Sequence, residues 1–243
     1  MKIKNVLVLT AGMIAASLQL VSCDSSTSSD GSGSSSTSNS GTGGSGGNTS
    51  GSSASGTFTD SRDGQSYKYV KIGSQTWMAQ NLNYAGPSGS VGVCYDNLSS
   101  NCATYGRLYT WSEVMNGSGS STANPSGVQG ICPSGWHIPS DGEWSTLVQY
   151  VDSATSGTKL KSTSGWYNSG NGTNAYGFNV LPAGGRINLY GSFYDLGVDA
   201  DFWSSSEDDA SGAWDRYFYY GYAGVYRYSD SKSYGFSLRC AEN

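Results

Sequence analysis

Residues 132–143 constrain the fold more than any other part of the chain, because they combine a cysteine, the single histidine and a helix start. Ser140 and Glu143 have the spacing of a capping box, in which both side chains satisfy backbone N–H groups of a first helical turn. A helix is therefore expected to begin at Asp141. Four apolar residues then recur at helical spacing and predict one face packed against a core: Trp144, Leu147, Val148 and Val151.

Residues 1–22 have the pattern of an export signal. Lys2 and Lys4 precede an apolar run that is too short and interrupted for a membrane span. The run ends at Cys23 in a sequence that resembles a bacterial lipobox, so Cys23 is expected to carry lipid at the mature N-terminus. The alternative is ordinary signal cleavage with Cys23 left as a free thiol. Lipidation predicts a cell-envelope protein anchored to a membrane, at the outer membrane or cell surface.

Residues 23–56 are predicted to be a lipidated N-terminus followed by a disordered linker. From 24 to 56, the chain has 24 Ser or Gly residues among 33 and no aromatic side chain. Such a composition cannot bury enough apolar surface to fold. Residues 57–243 hold all 18 Tyr, seven Trp and six Phe, which suits one domain with one core.

The charge of the chain excludes one class of partner. Of 13 basic residues, Lys2 and Lys4 belong to the signal, which leaves 11 against 18 acidic residues and a net charge of −7. Nucleic acid is therefore not expected as a partner. The expected partners are a membrane, through the lipid, and a glycan or a surface protein. The domain itself is expected to be monomeric.

Four further cysteines predict two disulfides in an exported protein: Cys94, Cys102, Cys132 and Cys240. Three pairings are possible. The short polar loop between Cys94 and Cys102 favours a bond between these two, which leaves Cys132 to pair with Cys240.

The pattern of the domain indicates an α+β class with an antiparallel sheet, two short helices and long loops. An edge strand is expected at 67–72 and a second helix from Arg107 to Met115. The stretch 153–201 is expected to form loops with one short strand at 178–182. Residues 202–241 predict an antiparallel meander of three or four strands. In its last strand, alternation of Phe236 and Leu238 with Ser237 and Arg239 predicts one buried and one wet face.

Ordered blocks of Trp, Cys and Gly closely resemble the Fibrobacter succinogenes major paralogous domain family. The blocks lie at 63–84, 105–111, 132–139, 181–186, 202–207 and 234–240. They include the segment Cys-Pro-Ser-Gly-Trp-His-Ile-Pro at 132–139, and together they cover nearly all of 57–243. The resemblance implies an extracellular domain carried by a lipoprotein.

The order of these blocks is also similar to the C-type lectin-like fold, in which a disulfide joins the first helix region to the last strand. Sugar-binding members of that fold hold calcium through Glu-Pro-Asn or Gln-Pro-Asp and Trp-Asn-Asp triplets. Neither occurs here, since Trp203 opens Trp-Ser-Ser, and Pro125 and Pro182 lie in Ala-Asn-Pro and Val-Leu-Pro. The resemblance therefore does not imply calcium-dependent sugar binding of that kind.

No catalytic residue is predicted. His137 is the obvious general base, but it lies in a Pro-flanked apolar segment without a second histidine or an evident nucleophile, which favours a structural hydrogen-bonding role. No cofactor and no metal site are predicted. Calcium is the alternative, with oxygen ligands from an acidic stretch whose best candidates are Asp199, Asp201 and Glu207.

An excess of aromatic rings in Gly-, Asn- and Ser-rich contexts points to ligand contact, since amphipathic rings suit sugar faces and protein surfaces. The alternative is that tyrosines simply tile a β-rich surface. The candidate ligand-binding residues are Trp166, Tyr167, Arg186, Tyr190, Tyr194, Tyr222 and Tyr226. We expect a surface-anchored, non-catalytic module that binds carbohydrate or cell-wall polysaccharide. A protein-binding or surface-assembly module is the second hypothesis, and a glycan-active enzyme is the third.

Overall fold

The structure is a computed structural model that describes residues 54–188 and 191–243. The predicted signal, Cys23 and nearly all of the predicted linker lie outside these residues. Ten strands and four α-helices are present in the described part: β1 Ser55–Thr59, β2 Ser66–Ile72, β3 Gln75–Met78, α1 Ser99–Tyr105, α2 Trp111–Met115, β4 Trp136–His137, α3 Asp141–Tyr150, α4 Ser156–Leu160, β5 Gly185–Arg186, β6 Phe193–Tyr194, β7 Asp199–Glu207, β8 Gly212–Tyr219, β9 Tyr226–Ser231 and β10 Ala241–Glu242. The first strand begins two residues before the expected domain start at Thr57.

A five-stranded antiparallel sheet joins the two ends of the described domain. Its order is β1-β2-β3-β10-β4, so the last strand lies between β3 and β4. Ala241 in β10 pairs with Trp77 on one side and with His137 on the other. The predicted strand at 67–72 is present as β2, but its position at a sheet edge is wrong, because β2 lies between β1 and β3. A turn with Gly73 at a φ of +62° leads into β3. Glycine suits this turn because other residues rarely adopt positive φ.

The five-stranded sheet is covered on both faces by apolar side chains. Val70 and Trp77, which pair across β2 and β3, face one core cluster together with Trp144 of α3. Tyr67 and Met78 face a second cluster that contains the disulfide of Cys132 and Cys240, with Trp203. Alternate strand residues point to opposite faces, which explains why neighbours enter different clusters.

A second, three-stranded antiparallel sheet contains β7, β8 and β9 in that order. It confirms three strands of the predicted meander. The predicted fourth strand at 234–240 with one wet face is wrong. This segment instead crosses the interior, with bridges from Phe236 to Tyr109 and from Ser237 to Phe202. Ser237 and Arg239 are buried as fully as their apolar neighbours, because the side chain of Asn81 bonds to both.

The helix at Asp141 begins as predicted. The Ser140 hydroxyl accepts from Glu143 N, and the Glu143 carboxylate accepts from Ser140 N at 2.9 Å. Trp144 and Leu147 are fully buried on its inner face.

The expectation of two helices is wrong, since the described residues form four. The second expected helix starts at Trp111, where Thr110 and Glu113 form another capping box, and not at Arg107. Helices α1 and α4 lack a side-chain cap and an apolar periodicity that a sequence pattern could detect.

Both predicted disulfides are confirmed. Cys94 bonds to Cys102, and Cys132 bonds to Cys240. The first closes a loop of sequence separation 8 and the second one of 108. The longer bridge ties the segment before α3 to the residue that precedes β10.

Both ring nitrogens of His137 form hydrogen bonds, as its sequence context predicts. Its Nε2 lies 2.7 Å from Glu143 Oε1 and its Nδ1 lies 2.8 Å from Asn243 Oδ1. Burial alone would lower the pKa of His137, but the bonds and charge of Glu143, with the bond of Asn243, outweigh burial and raise this pKa. His137 thus joins the start of α3 to the C-terminal strand.

Within 54–188 and 191–243, no helix has the length and apolar character needed to cross a membrane.

Candidate ligand-binding surface

Alternating residues of β8 and β9 place tyrosines and aspartates on one face of the three-stranded sheet. In β8 these are Asp215, Tyr217 and Tyr219, and in β9 they are Tyr226, Tyr228 and Asp230. The strands run antiparallel, so Tyr217 pairs with Tyr226 and Asp215 with Tyr228. The opposite face carries Phe218, which packs into the core against α3. Alternation along β8 and β9 therefore places Phe218 on the face toward α3 and the tyrosines on the opposite face.

Seven tyrosine rings form one connected surface, which we call the tyrosine surface: Tyr167, Tyr217, Tyr219, Tyr220, Tyr222, Tyr226 and Tyr228. The Tyr222 and Tyr226 ring centroids lie 4.7 Å apart, those of Tyr219 and Tyr222 lie 4.9 Å apart, and those of Tyr217 and Tyr228 lie 5.5 Å apart. Tyr167 joins through Tyr220 at 5.3 Å.

Four rings of the tyrosine surface are open to solvent. Their exposed fractions are 61% for Tyr167, 40% for Tyr222, 45% for Tyr226 and 39% for Tyr228. Adjacent exposed rings of this kind offer apolar faces and hydroxyl groups to a ligand at the same time.

Lys161, directly after α4, binds the backbone of the turn between β8 and β9. Its buried Nζ donates to the carbonyl oxygens of Tyr219, Tyr220 and Tyr222 at 3.0, 3.1 and 3.2 Å. The same ammonium lies 5.0 Å from the Trp166 ring centroid. Burial lowers the pKa of Lys161 to about 8.

Helix α4 packs directly against the same turn. Val225 N donates to the Ser156 hydroxyl at 3.1 Å. A Cβ on Gly157 would lie 2.6 Å from the carbonyl oxygen of Gly224, so only glycine allows this close approach. The unpredicted helix is therefore the element that positions the turn of the tyrosine surface.

Four carboxylates lie on the same sheet face as the tyrosines: Asp199, Asp201, Asp215 and Asp230. Oxygen atoms of Asp201, Asp215 and Asp230 all lie within 4.8 Å of one another, and Asp201 and Asp215 are fully buried. Burial raises the pKa of Tyr194 well above its usual value, and these carboxylates raise it further. The hydroxyl of Tyr194 therefore stays protonated beside them.

This oxygen cluster has the donor type that calcium prefers, but it differs from the predicted calcium candidates. Asp201 belongs to the cluster and Asp199 lies on the same face. Glu207 does not, because it is exposed at the end of β7 and pairs with Lys232 Nζ at 2.8 Å. Three carboxylates by themselves assign no ion.

The model of the Fibrobacter succinogenes major domain family matches residues 70–241. The chain belongs to this family. No curated protein and no solved structure matches it. The match begins in β2 and ends in β10, so both disulfides and the tyrosine surface lie inside this Fibrobacter succinogenes major domain.

The domain brings three of the predicted ligand-binding residues together, since Tyr167, Tyr222 and Tyr226 all belong to the tyrosine surface. Tyr194 lies beside the carboxylates, on β6. Arg186, on β5, is half-buried and its guanidinium lies 5.5 Å from the Phe193 ring centroid.

Two other predicted residues do not contribute to this surface. Trp166 is only 5% exposed, and its Nε1 donates to Ser162 Oγ and to the carbonyl oxygen of Val180. The prediction of an exposed ring is wrong for Trp166, because the ring fills the core next to Lys161. Tyr190, like Cys23, lies outside the described residues.

The ligand-binding candidates chosen from the sequence omit six residues of the tyrosine surface and its sheet face: Asp215, Tyr217, Tyr219, Tyr220, Tyr228 and Asp230. For all but Tyr220, a signal was present, because Asp-x-Tyr in β8 mirrors Tyr-x-Asp in β9. Two antiparallel strands with mirrored alternation place like residues on one face. That pattern identifies a shared face but not the third strand, β7, which supplies Asp199 and Asp201.

Proposed function

We propose that this domain is a non-catalytic recognition module that binds carbohydrate through the tyrosine surface. It would work as a monomer, on an exported protein held in the cell envelope by lipid on Cys23. The observation that carries the proposal is the set of solvent-open rings of Tyr222, Tyr226 and Tyr228, in contact with one another.

The chemistry of these rings favours sugar. A pyranose presents an apolar face of C–H groups and an edge of hydroxyls, and a tyrosine presents an apolar ring and a hydroxyl. Contact between the two faces removes apolar surface from water, while hydroxyls on both partners exchange hydrogen bonds. Several adjacent rings suit consecutive residues of a polysaccharide.

The charge near the rings favours a ligand that is not anionic. Asp199, Asp201, Asp215 and Asp230 share the sheet face with the tyrosines and make the electrostatic potential there more negative. A phosphate-rich ligand would be repelled by the same carboxylates and by the net charge of −7 that the chain has without Lys2 and Lys4. A neutral glycan meets no such repulsion.

The rigid support of the rings also favours binding. Sheet pairing orders Tyr217, Tyr226 and Tyr228, and the bonds of Lys161 order Tyr219 and Tyr222. A ligand then binds without ordering these residues first, which lowers the entropic cost of association.

We further propose that the domain has a C-type lectin-like architecture. The bond from Cys132 to Cys240, which links the segment before α3 to the chain before β10, supports this proposal. So does the placement of β10 between β3 and β4, which joins the ends of the domain.

A glycan array with the full chain in detergent, with and without calcium, tests the function. We expect binding to one class of polysaccharide, and at least tenfold weaker binding after Tyr222→Ala with Tyr226→Ala. Tyr150→Ala is the matched control, because Tyr150 is 59% exposed on α3 and outside the tyrosine surface. Each 1.4 kcal/mol of lost contact corresponds to a tenfold loss of affinity.

Absence of binding to any polysaccharide would reject carbohydrate as the ligand. Equal loss in the Tyr150→Ala control would reject the tyrosine surface as the site. The surface-assembly hypothesis would be favoured by a different result. The domain would bind no glycan on the array but would bind a defined surface protein, and the Tyr222 and Tyr226 changes would weaken that binding.

A further inference from the structure

A cavity of about 330 Å³ lies apart from the tyrosine surface, between the residues around β2 and β3 and helix α1. Its volume is at the lower end of the range for small-molecule sites. Five amide side chains line it: Gln65, Gln80, Asn81, Asn83 and Asn179. Amides offer both donors and acceptors, so the walls suit a small ligand that carries several polar groups.

Arg239 is the single charged residue among those that line this cavity. It is buried, and its guanidinium donates to Asn81 Oδ1 at 2.9 Å and to the carbonyl oxygens of Phe178 and Asn179. It also lies 4.5 Å from the Phe178 ring centroid. All these partners are neutral.

Among the described residues, no carboxylate therefore offsets the positive charge of Arg239. No salt bridge to Arg239 is present within the described part of the chain. Burial lowers the pKa of Arg239 to about 9, and no acidic neighbour raises it. Buried charges are ordinarily paired, since taking a charge out of water is costly. An anion in the cavity would supply the missing partner.

Two of the amides have side-chain groups that remain available to a ligand. Gln80 accepts a bond from Lys68 N through Oε1, and its Nε2 donates to no described residue. Asn179 uses its backbone N–H and carbonyl in hydrogen bonds, but its side-chain amide bonds to none of the residues described. Both groups can contact the ligand while Arg239 supplies the charge.

We propose that this cavity binds a small hydroxylated carboxylate, such as a sugar acid. One guanidinium matches one carboxylate in charge, and charge-assisted hydrogen bonds to a carboxylate are the strong ones. The amides then bind the hydroxyl groups. The site is separate from the proposed carbohydrate surface, so either can fail without the other.

Isothermal titration of the full chain in detergent with glucuronate, glucose and acetate tests the proposal. We expect glucuronate to bind, glucose to bind at least tenfold more weakly, and acetate to bind with an affinity between the two. Equal affinity for glucuronate and glucose would overturn the carboxylate requirement. No heat with any of the three would overturn the site.

Replacing Arg239 would leave three buried acceptors without their donor and destabilise the fold, so a change at the cavity rim is the better test. Thr104 lies exposed on α1 and lines the cavity. Thr104→Glu adds a negative charge that repels the carboxylate of the ligand, and it is expected to weaken glucuronate binding at least tenfold. Thr104→Gln, the neutral control of equal size, is expected to change this affinity less than threefold. Equal effects of both changes would contradict an electrostatic site. Tyr150→Ala, which lies outside both the cavity and the tyrosine surface, is expected to leave glucuronate binding unchanged.

Discussion

Lys161 Nζ donates a hydrogen bond of 3.0 Å to the carbonyl oxygen of Tyr219, which ties the end of α4 to the end of β8. The contact connects a helix without a detectable sequence signal to the most distinctive surface of the domain. The order of the tyrosine surface therefore depends on a residue that does not itself reach the solvent.

Lys161→Met is expected to destabilise the domain by about 1–3 kcal/mol, because it leaves three carbonyl groups without their buried donor. Urea unfolding measures the loss, and hydrogen exchange of the amides at 219–222 should increase. Lys159→Met is the control, since Lys159 is partly exposed and donates to one carbonyl oxygen, that of Val151, besides its surface bond to Asp152. A loss as large in the control would show that the turn does not depend on Lys161.

The pKa of Lys161 predicts a specific pH dependence. Burial lowers it to about 8 from the ordinary 10.5, so between these values the unfolded chain holds a proton that the folded chain has released. The free energy of unfolding of the native chain, relative to Lys161→Met, should therefore rise from about pH 8 to pH 10.5, with a slope of at most about 1.4 kcal/mol per pH unit. A relative stability that falls over this interval would contradict a lowered pKa.

His137 predicts the opposite dependence near neutral pH. Its folded pKa lies above the ordinary 6.5, so its stabilisation is complete below that value and is lost as pH rises through the raised pKa. The stability difference between the native chain and His137→Gln should shrink on going from pH 6 to pH 9. Paired urea titrations across this pH range measure the stability difference. A constant difference would argue against a raised pKa of the His137 imidazole beside Glu143.

The two disulfides should differ in their contributions. By loop-closure entropy, replacing Cys132 and Cys240 with serine should cost about 5 kcal/mol, and replacing Cys94 and Cys102 about 2.5 kcal/mol. The sequence separations of 108 and 8 are the reason for this order. Guanidinium unfolding of the two double variants gives the comparison, and a reversed order would reject the entropic account for this domain.

Local rules of helix capping and strand alternation were sufficient to predict α3, β2 and the strands of the meander. Ser140 and Glu143 specify α3 through their own hydrogen bonds, and those bonds need no distant partner. The pairing of Cys94 with Cys102 followed in the same way from a short loop.

Other elements depend on contacts that are distant in sequence. Helix α4 begins at Ser156 because Gly157 and Lys161 fit against a turn more than 50 residues later, and five residues have little helix propensity of their own. The polar residues Ser237 and Arg239 predict a solvent-exposed strand face from sequence alone. In the structure they are buried and hydrogen-bonded to Asn81, which is more than 150 residues away in sequence. The carboxylate cluster likewise combines three strands, which alternation within one strand cannot reveal.

The central position of β10 has a consequence for how the domain is made. Ala241 must reach its place between Trp77 and His137 before the larger sheet is continuous. The ribosome exposes that residue after nearly all of the domain has been synthesised, so β3 and β4 wait with unpaired edges throughout translation. A chain that still lacks this strand therefore exposes backbone edges to proteases and to other chains, and the complete sheet is protected only when β10 arrives.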